Sequence, residues 1–133
     1  MNSEALGRLV LPAMEQLPKR IHPLSAAVLC TPDGFNICSL GLDETQVGKL
    51  AALSGSLLSV GNAAMVELRP ELGNKATDLL TLRAGNFQIL GLKVHKPGGH
   101  LVLMAAAEKV ALGVMIVGAQ HVASQIEKLF NPR

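Results

Sequence analysis

The longest apolar stretch of the chain lies near its middle. Residues 50–66, LAALSGSLLSVGNAAMV, contain no charged side chain, and a helix without a polar face is usually buried on all sides. Asp43 and Gln46 have the spacing of a capping box, which predicts that the helix begins directly after Asp43. It is expected to end before Pro70, and Gly73-Asn74 is predicted to be a loop.

This helix has two faces of different character. At about 100° per residue, the large aliphatic residues share one face, which we assign to the sheet of the same chain: Val47, Leu50, Ser54, Leu57, Leu58, Gly61, Met65 and Leu68. The opposite face gathers small residues, over which a second backbone can approach closely: Ala52, Ser56, Ser59, Ala63 and Val66. A small domain has few elements left to cover this second face, so the pattern predicts a homodimer.

Two other environments would also explain an apolar helix. It can be enclosed wholly within one chain, as in layered single domains. A membrane span is disfavoured, because residues 50–66 include Gly, Ser and Asn and fall short of the roughly 20 strongly apolar residues that a span needs.

The segment before the central helix predicts a kinked helix. Ser3 is placed to cap it, and its apolar positions fall on one side: Leu6, Val10, Met14 and Leu17. Pro12 should kink or restart this helix, because proline lacks the backbone N–H of a helical turn. Pro18 is expected to close the element.

Five apolar runs predict strands. Two of them flank Thr31-Pro32-Asp33-Gly34, which has Pro at the second turn position and Gly where a positive φ is expected, so they form a hairpin. Three more follow the central helix as a meander. The runs are residues 24–30, 35–40, 78–83, 87–95 and 100–106.

The strand at residues 78–83 alternates only partly, which is typical of a sheet edge. Its unpaired backbone groups would be free to pair with the same strand of a second subunit. We therefore add Leu79 and Thr81 to the predicted dimer interface.

A last amphipathic helix completes the order helix, two strands, helix, three strands, helix. Its apolar stripe consists of Leu112, Met115, Ile116, Ala119, Val122, Ile126 and Leu129. Several strands are nearly continuous in apolar residues, as expected for a sheet covered on both faces. The fold class is thus α/β, a three-layer sandwich with the central helix on one face of the sheet and the terminal helices on the other.

Composition narrows the function. The 133 residues fit one domain, and no internal Pro or Gly/Ser run is long enough to be a linker. The formal charge of +2 is not concentrated in a basic run, and three Phe are the only aromatic residues, so nucleic acid is not an expected partner. Charged residues and Pro12 interrupt the first twenty positions, where a signal peptide would need an apolar core. The expected location is the cytoplasm.

The usual catalytic and nucleotide-binding motifs are absent from the sequence. No Gly-x4-Gly-Lys-Ser/Thr loop occurs, because Leu50 follows Gly48-Lys49 in place of a hydroxyl residue. No Gly-x-Ser-x-Gly elbow occurs either, and the serines of the central helix fit a packing role. The chain is therefore predicted to be neither an enzyme nor the holder of a cofactor.

Four arginines allow two interpretations. Each is interpreted as a solvated charge, although an arginine is also able to stabilise transferred phosphate in a partner protein. They are Arg8, Arg20, Arg69 and Arg83.

The cysteines and histidines suggest weaker possibilities. If Thr31 pairs with Phe35, Cys38 lies opposite Val28 and diagonal to Cys30 on one face, too far for a disulfide. Two buried free thiols are expected. His95 and His100 should face each other across a turn, but no third ligand lies nearby in sequence, so no metal site is predicted.

Three segments together resemble the Roadblock family of dynein-light-chain-like domains. They are the hairpin at residues 26–37, the Ala/Ser/Gly/Leu-rich central helix, and LVLMAAAEKVALGVMIVGAQHVASQIEKL, where Leu112-Gly113 opens the last helix. The resemblance covers about residues 21–129 of the single domain, residues 1–133. The lead-in with Pro12 and the Lys-Pro-Gly-Gly turn are individual to this chain.

The resemblance implies a five-stranded sheet and dimerisation through the central helix and the third strand. It also implies a non-enzymatic regulator or scaffold for Ras-like small GTPases, or an adapter light chain of a motor or multiprotein complex. A third interpretation is a sensor domain that holds a small apolar molecule, although no residue spacing specifies a pocket.

Overall fold

The structure, a computed structural model, describes residues 2–73 and 77–131. The elements follow the predicted order, with one short helix added near the N-terminus. They are α1 (Ser3–Met14), α2 (Leu17–Arg20), β1 (Leu24–Cys30), β2 (Asn36–Leu40), α3 (Glu44–Leu68), a short 3-10 helix (Pro70–Leu72), β3 (Leu79–Ala84), β4 (Phe87–Lys96), β5 (Gly99–Glu108) and α4 (Leu112–Phe130).

The five strands form one antiparallel sheet in the order β2-β1-β5-β4-β3. The hairpin and the meander join where β1 pairs with β5, so the central strand, β5, has one neighbour from a distant part of the chain. β3 lies at one edge and pairs only with β4. The predicted edge position of this strand is confirmed.

Each face of the sheet carries its own apolar core. The larger core lies under α1, α2 and α4, and its largest fully buried side chains are Met14, Leu17, Ile21, Leu29, Leu90, Leu101, Leu103, Met115 and Ile126. The smaller core lies under α3 and contains Val28, Cys30, Ala51, Leu58, Val102 and Met104. The three-layer arrangement is therefore confirmed, with unequal layers.

The limits of α3 follow the predicted signals. The Asp43 side chain accepts the Gln46 N–H at 2.8 Å, and the Gln46 side chain accepts the Asp43 N–H at 3.3 Å. This capping box satisfies two donors at the helix start. The helix ends at Leu68, and Pro70 begins the short 3-10 helix. Gly73 lies in a turn, whereas Asn74 is outside the described residues.

The N-terminal segment corrects three expectations. Asn2, not Ser3, caps α1, since its side chain accepts the Ala5 N–H at 2.8 Å. The helix continues through Pro12, which lies on its exposed side, where water can solvate the carbonyl left without a partner. Pro18 does not close a helix but lies in the first turn of α2, where its missing N–H costs nothing.

A β-bulge changes the expected surroundings of the cysteines. Cys30 pairs with Asn36 as predicted, but an irregularity between Leu29 and Cys30 places Cys38 opposite Leu29 rather than Val28. Such a shift moves side chains to the other face of a sheet. Cys30 lies in the core under α3 and Cys38 in the core under α1. Both thiols are free and buried, as predicted, and burial raises the pKa of the Cys30 thiol to about 11.

Helix α4 covers the larger core with most of its predicted stripe. Met115, Ala119, Val122 and Ile126 are buried. Leu112 and Leu129, at the two ends of the stripe, are 39% and 41% exposed.

Candidate interaction surface

Most of α3 is left uncovered by its own chain. Its buried residues are Ala51, Ser54, Gly55 and Leu58, all in the first two thirds of the helix. The residues predicted to form the interface are exposed or half-buried: Ala52, Ser56, Ser59, Ala63 and Val66. Leu53 and Val60, which are 58% and 67% exposed, flank this row of small residues. The helix therefore presents an apolar outer face with a flat centre.

Close backbone contacts fix the position of this helix. A side chain at Gly55 would overlap the Pro32 carbonyl oxygen, and a Cβ at Gly34 would lie 3.0 Å from the Ala52 Cα. The β1–β2 turn thus rests directly on α3, and Gly34 has a φ of 98° that favours glycine. The turn and the helix border a groove of about 370 Å³ beside Ser56, Ser59 and Val60.

The second half of α3 diverges from the sheet and leaves a larger groove. This α3–β3 groove has a volume of about 560 Å³ and is lined by Gly61, Asn62, Ala64, Met65, Leu68, Leu72, Thr77, Asp78, Leu79 and Leu80. The expectation that the sheet covers Met65 and Leu68 is wrong, since they are 50% and 79% exposed. Among the described elements, the short 3-10 helix contacts α3 here and contributes Leu72 to the groove lining.

Two polar atoms in the α3–β3 groove have no hydrogen-bond partner among residues 2–73 and 77–131. They are Asn62 Oδ1 and Thr77 Oγ1, and both are inaccessible to solvent. A buried polar atom without a partner costs about 1–3 kcal/mol. The groove therefore has a largely apolar lining and two buried polar atoms that form no hydrogen bond with the described residues.

Strand β3 presents different side chains to the two layers. Leu79 packs against the core under α4, whereas Leu80 packs against the core under α3. Because strand residues alternate between faces, Thr81 shares the α4 side with Leu79, and Leu82 shares the α3 side with Leu80. The predicted interface residues Leu79 and Thr81 are thus on the opposite face of the sheet from the outer row of α3.

We define the α3 surface as the outer row of α3 with Leu53, Val60, Met65 and Leu68, together with Leu80 and Leu82 of β3. Leu53 and Val60 were not among the predicted interface residues, because they flank the row of small residues rather than belong to it. Leu80 and Leu82 were not among them either, because the faces of β3 had not been assigned. The alternation of Leu80 and Leu82 with Thr81 was the signal available for that assignment.

The four arginines are not brought together. Arg8 forms an ion pair with Glu4 at 3.2 Å, and Arg69 forms one with Glu71. The Arg83 Nε donates to the Gly85 carbonyl oxygen at 3.0 Å. Arg20 is exposed at the end of α2, beside α4. All four side chains are on the surface, so their charges are largely solvated.

The two paired histidines lie opposite each other on β4 and β5, as predicted. Burial lowers the pKa of His100, and the positive charges of Lys93, His95 and Lys96 lower it further. In residues 2–73 and 77–131, no three His, Cys, Asp or Glu side chains are grouped closely enough to hold a metal ion.

One described helix, α3, is long and apolar enough to cross a membrane by length and composition alone. Its capped N-terminus and its packing against the sheet are those of an ordinary helix in a layered domain.

Comparison with known proteins gives likeness in structure but not in sequence. No family model and no curated protein matches the chain. A Roadblock/LC7 domain from Streptomyces avermitilis has a TM-score of 0.75 at 19% identity, over 86% of this chain and 91% of that one. Myxococcus xanthus MglB has a TM-score of 0.76 at 19% identity, over 99% and 94%.

A third structure, the gliding protein MglB from Thermus thermophilus, has a TM-score of 0.73 at 14% identity, over 97% of this chain and 93% of that one. At these identities the likeness concerns the fold, and it extends over nearly the whole length of each chain. The family resemblance noted in the sequence is thereby confirmed at the level of the fold: the protein has the architecture of Roadblock/LC7 domains.

Proposed function

We propose that the protein is a non-enzymatic, homodimeric regulatory scaffold that binds a Ras-like small GTPase in the cytoplasm. The α3 surface joins the two copies, and the dimer then modulates the nucleotide cycle or the location of the GTPase. The observation that carries the proposal is the uncovered α3 surface, which adjoins the α3–β3 groove and its two unpartnered buried polar atoms.

A second copy of the chain would bury the exposed apolar area of this surface and bring polar groups close to the groove. Exposed apolar area contributes about 25 cal/mol per Å² when it is buried, and the exposed aliphatic residues of α3 extend along most of the helix. The small residues between them allow another helix to approach closely. Asn62 Oδ1 and Thr77 Oγ1 are already covered by their own chain, so association must open the groove for polar groups of the second copy to reach them.

The sheet edge supports the same mode of association. The outer backbone groups of β3 have no strand partner among the described residues, and pairing with another β3 would satisfy them. Side chains of Leu80 and Leu82 would then lie under the paired helices. Leu79 and Thr81 would contribute through their backbone rather than their side chains.

The GTPase part of the proposal depends on the family resemblance and the shared fold. The resemblance implies regulation of Ras-like GTPases, and an MglB structure with a tetrameric arrangement has a TM-score of 0.73 to this chain. An adapter light chain of a motor or multiprotein complex would use the same dimer. The absence of recognisable catalytic motifs in the sequence favours either role over an enzyme.

The first experiment measures the mass of the untagged protein by light scattering. We expect a dimer for the wild type and a folded monomer for Ser56→Glu and Ala63→Glu, because a carboxylate at a close helix contact would be buried without a partner. Ser124→Glu, which places the same charge on the exposed side of α4, should leave the dimer intact. A monomeric wild type would contradict the proposal.

The second experiment adds the dimer to the Ras-like GTPase encoded nearest to its gene, loaded with a fluorescent guanine nucleotide. We expect a changed rate of nucleotide release or hydrolysis, or complex formation at an unchanged rate. Ser56→Glu should abolish the effect. Loss of a stimulated hydrolysis in one of the Arg→Ala variants would identify an arginine that acts on the phosphate.

The α3–β3 groove also supports a second candidate, a small-molecule sensor. Its volume suits a compact apolar ligand with a hydrogen-bonding group. Native mass spectrometry separates the two candidates, since a retained small molecule would favour the sensor and a bare dimer the scaffold.

A further inference from the structure

A second uncovered surface lies on the other layer, between α2 and the first two turns of α4. This α2–α4 cleft has a volume of about 450 Å³ and is lined by Lys19, Arg20, Gly113, Val114, Val117 and Gly118. It is separated from the α3 surface by the full thickness of the sheet. The dimer of the proposed function, which is joined through the α3 surface, does not cover it.

Glycine residues shape the cleft. A Cβ at Gly118 would lie 2.9 Å from the Ile21 Cγ1 and 3.2 Å from the Arg20 Cβ, so α2 packs against bare helix backbone at this point. A Cβ at Gly113 would meet nothing within 4 Å. The cleft is therefore closed and rigid at Gly118 and open at Gly113.

The floor of the cleft is apolar. Val114 and Val117 are 48% and 65% exposed, whereas Met115, Val122 and Ile126 of the same helix are buried. Leu112 extends this patch at the start of α4. Exposed β-branched residues are poor choices for a solvated helix face, so the patch fits an apolar side chain of a partner.

The rim of the cleft is positive. Lys19 and Arg20 form no ion pair within the described part of the chain, where the two ion pairs are those of Arg8 and Arg69. Helix α4 begins at Ala111 without a side-chain cap and with no acidic residue in its first turn. The positive end of its dipole therefore adds to the two side-chain charges.

We propose that the α2–α4 cleft docks an acidic amphipathic segment of a partner protein. An aliphatic side chain of that segment packs on Val114 and Val117, and its carboxylates face Lys19, Arg20 and the start of α4. The charge complementarity favours an acidic partner over a neutral or basic one. A membrane surface fits less well, since the site is concave and has two cationic side chains where anionic lipid binding uses about 4–8.

The test uses a synthetic amphipathic helical peptide of about 14 residues, with Leu on one face and Glu beside it. A matched peptide carries Lys in place of Glu. Titration into the isotope-labelled protein should shift the amide resonances of Val114 and Val117 with the Glu peptide and not with the Lys peptide. Affinity should fall steeply with salt, because the rim charges are exposed.

Three variants test the charge of the rim and the open end of the cleft separately. Lys19→Glu with Arg20→Glu should weaken binding by about tenfold or more, whereas Lys128→Glu at the other end of α4 should not. Gly113→Glu should abolish binding while raising the melting temperature, because it fills the open end of the cleft, improves helix propensity and provides an acidic first-turn residue. A stability gain paired with a binding loss excludes simple unfolding.

Several outcomes would overturn the proposal. One is equal binding of the Glu and Lys peptides, and another is resonance shifts confined to the α3 surface. A third is that the protein sediments with phosphatidylserine vesicles but binds neither peptide, which would identify a lipid surface instead. A fourth is that Val117→Asp changes the dimer mass, which would assign the cleft to a second copy. None of these results bears on Ser56→Glu, so the dimer proposal stands or falls separately.

Discussion

At the residue scale, two glycines of α3 differ in whether the surrounding structure leaves room for a side chain. Gly48 lies on the exposed part of the first turns, and a Cβ there would meet nothing within 4 Å. Gly55 lies beneath the β1–β2 turn, where a Cβ would overlap the Pro32 carbonyl oxygen. Helix propensity alone treats the two positions as equal, so only the tertiary contact distinguishes them.

Gly48→Ala and Gly55→Ala should consequently have opposite effects on stability. Gly48→Ala should raise the free energy of unfolding by about 0.5–1 kcal/mol, because alanine lowers the entropy of the unfolded chain. Gly55→Ala should lower it by about 1–3 kcal/mol, because the turn must shift. Urea denaturation of both variants measures the difference, and two stabilised variants would show that the turn does not rest on the helix.

At the element scale, the β4–β5 hairpin holds a pH-sensitive residue. The pKa of His100 lies below its ordinary value of 6.5, first because of burial and then because of Lys93 and the other nearby cations. A lowered folded-state pKa contributes stability that is complete above pH 6.5 and is lost as the pH falls, since the unfolded chain binds the proton more readily.

His100→Gln should therefore make the free energy of unfolding less dependent on pH. Comparing urea midpoints at about pH 7.5 and about pH 5, we expect a smaller decrease for the variant than for the wild type. His22→Gln, at an exposed position before β1, serves as the control. An equal decrease in wild type and His100→Gln would mean that the hairpin does not disfavour the charged histidine.

Elements with local signals could be predicted from the sequence, and elements decided by packing could not. The capping box and Pro70 define α3 within the chain itself, and the Thr31-Pro32-Asp33-Gly34 turn defines the first hairpin. The continuity of α1 through Pro12 depends on which side faces water. The bulge beside Cys30 depends on pairing with two strands at once.

The same distinction applies to the candidate surface. The row of small residues was visible from the helical period alone. The exposure of Met65 and Leu68 could not be predicted from the helical period, because it depends on how far the sheet extends under α3. The face of each β3 side chain was available from alternation, but only once the strand was anchored by Leu80 on the core under α3.

At the scale of the whole molecule, the proposed dimer predicts a role for a hydroxyl group that has no hydrogen-bond partner in the part of the chain that the structure describes. Thr77→Val removes the unpartnered Oγ1 without changing the shape of the side chain. If a second copy supplies its partner, the variant should weaken the dimer by about 0.5–1.5 kcal/mol. Melting temperature measured over a range of protein concentrations reports this change.

Ser124→Ala is the control, because Ser124 carries an exposed hydroxyl on α4, outside the proposed dimer interface. It should leave the dimer unchanged. A Thr77→Val protein that is as stable as the wild type, or more stable, would show that the hydroxyl remains unpartnered in solution and that the groove is not closed by a second copy.

The position of β1 inside the sheet, between β2 and β5, has a consequence for biosynthesis. Its neighbour on one side is β2, which is made at once, but its neighbour on the other side is β5, which begins about 70 residues later. Until β5 emerges from the ribosome, β1 has one unpaired edge and two apolar faces. The nascent chain is thus prone to misassociation during this interval and is a candidate client for chaperones.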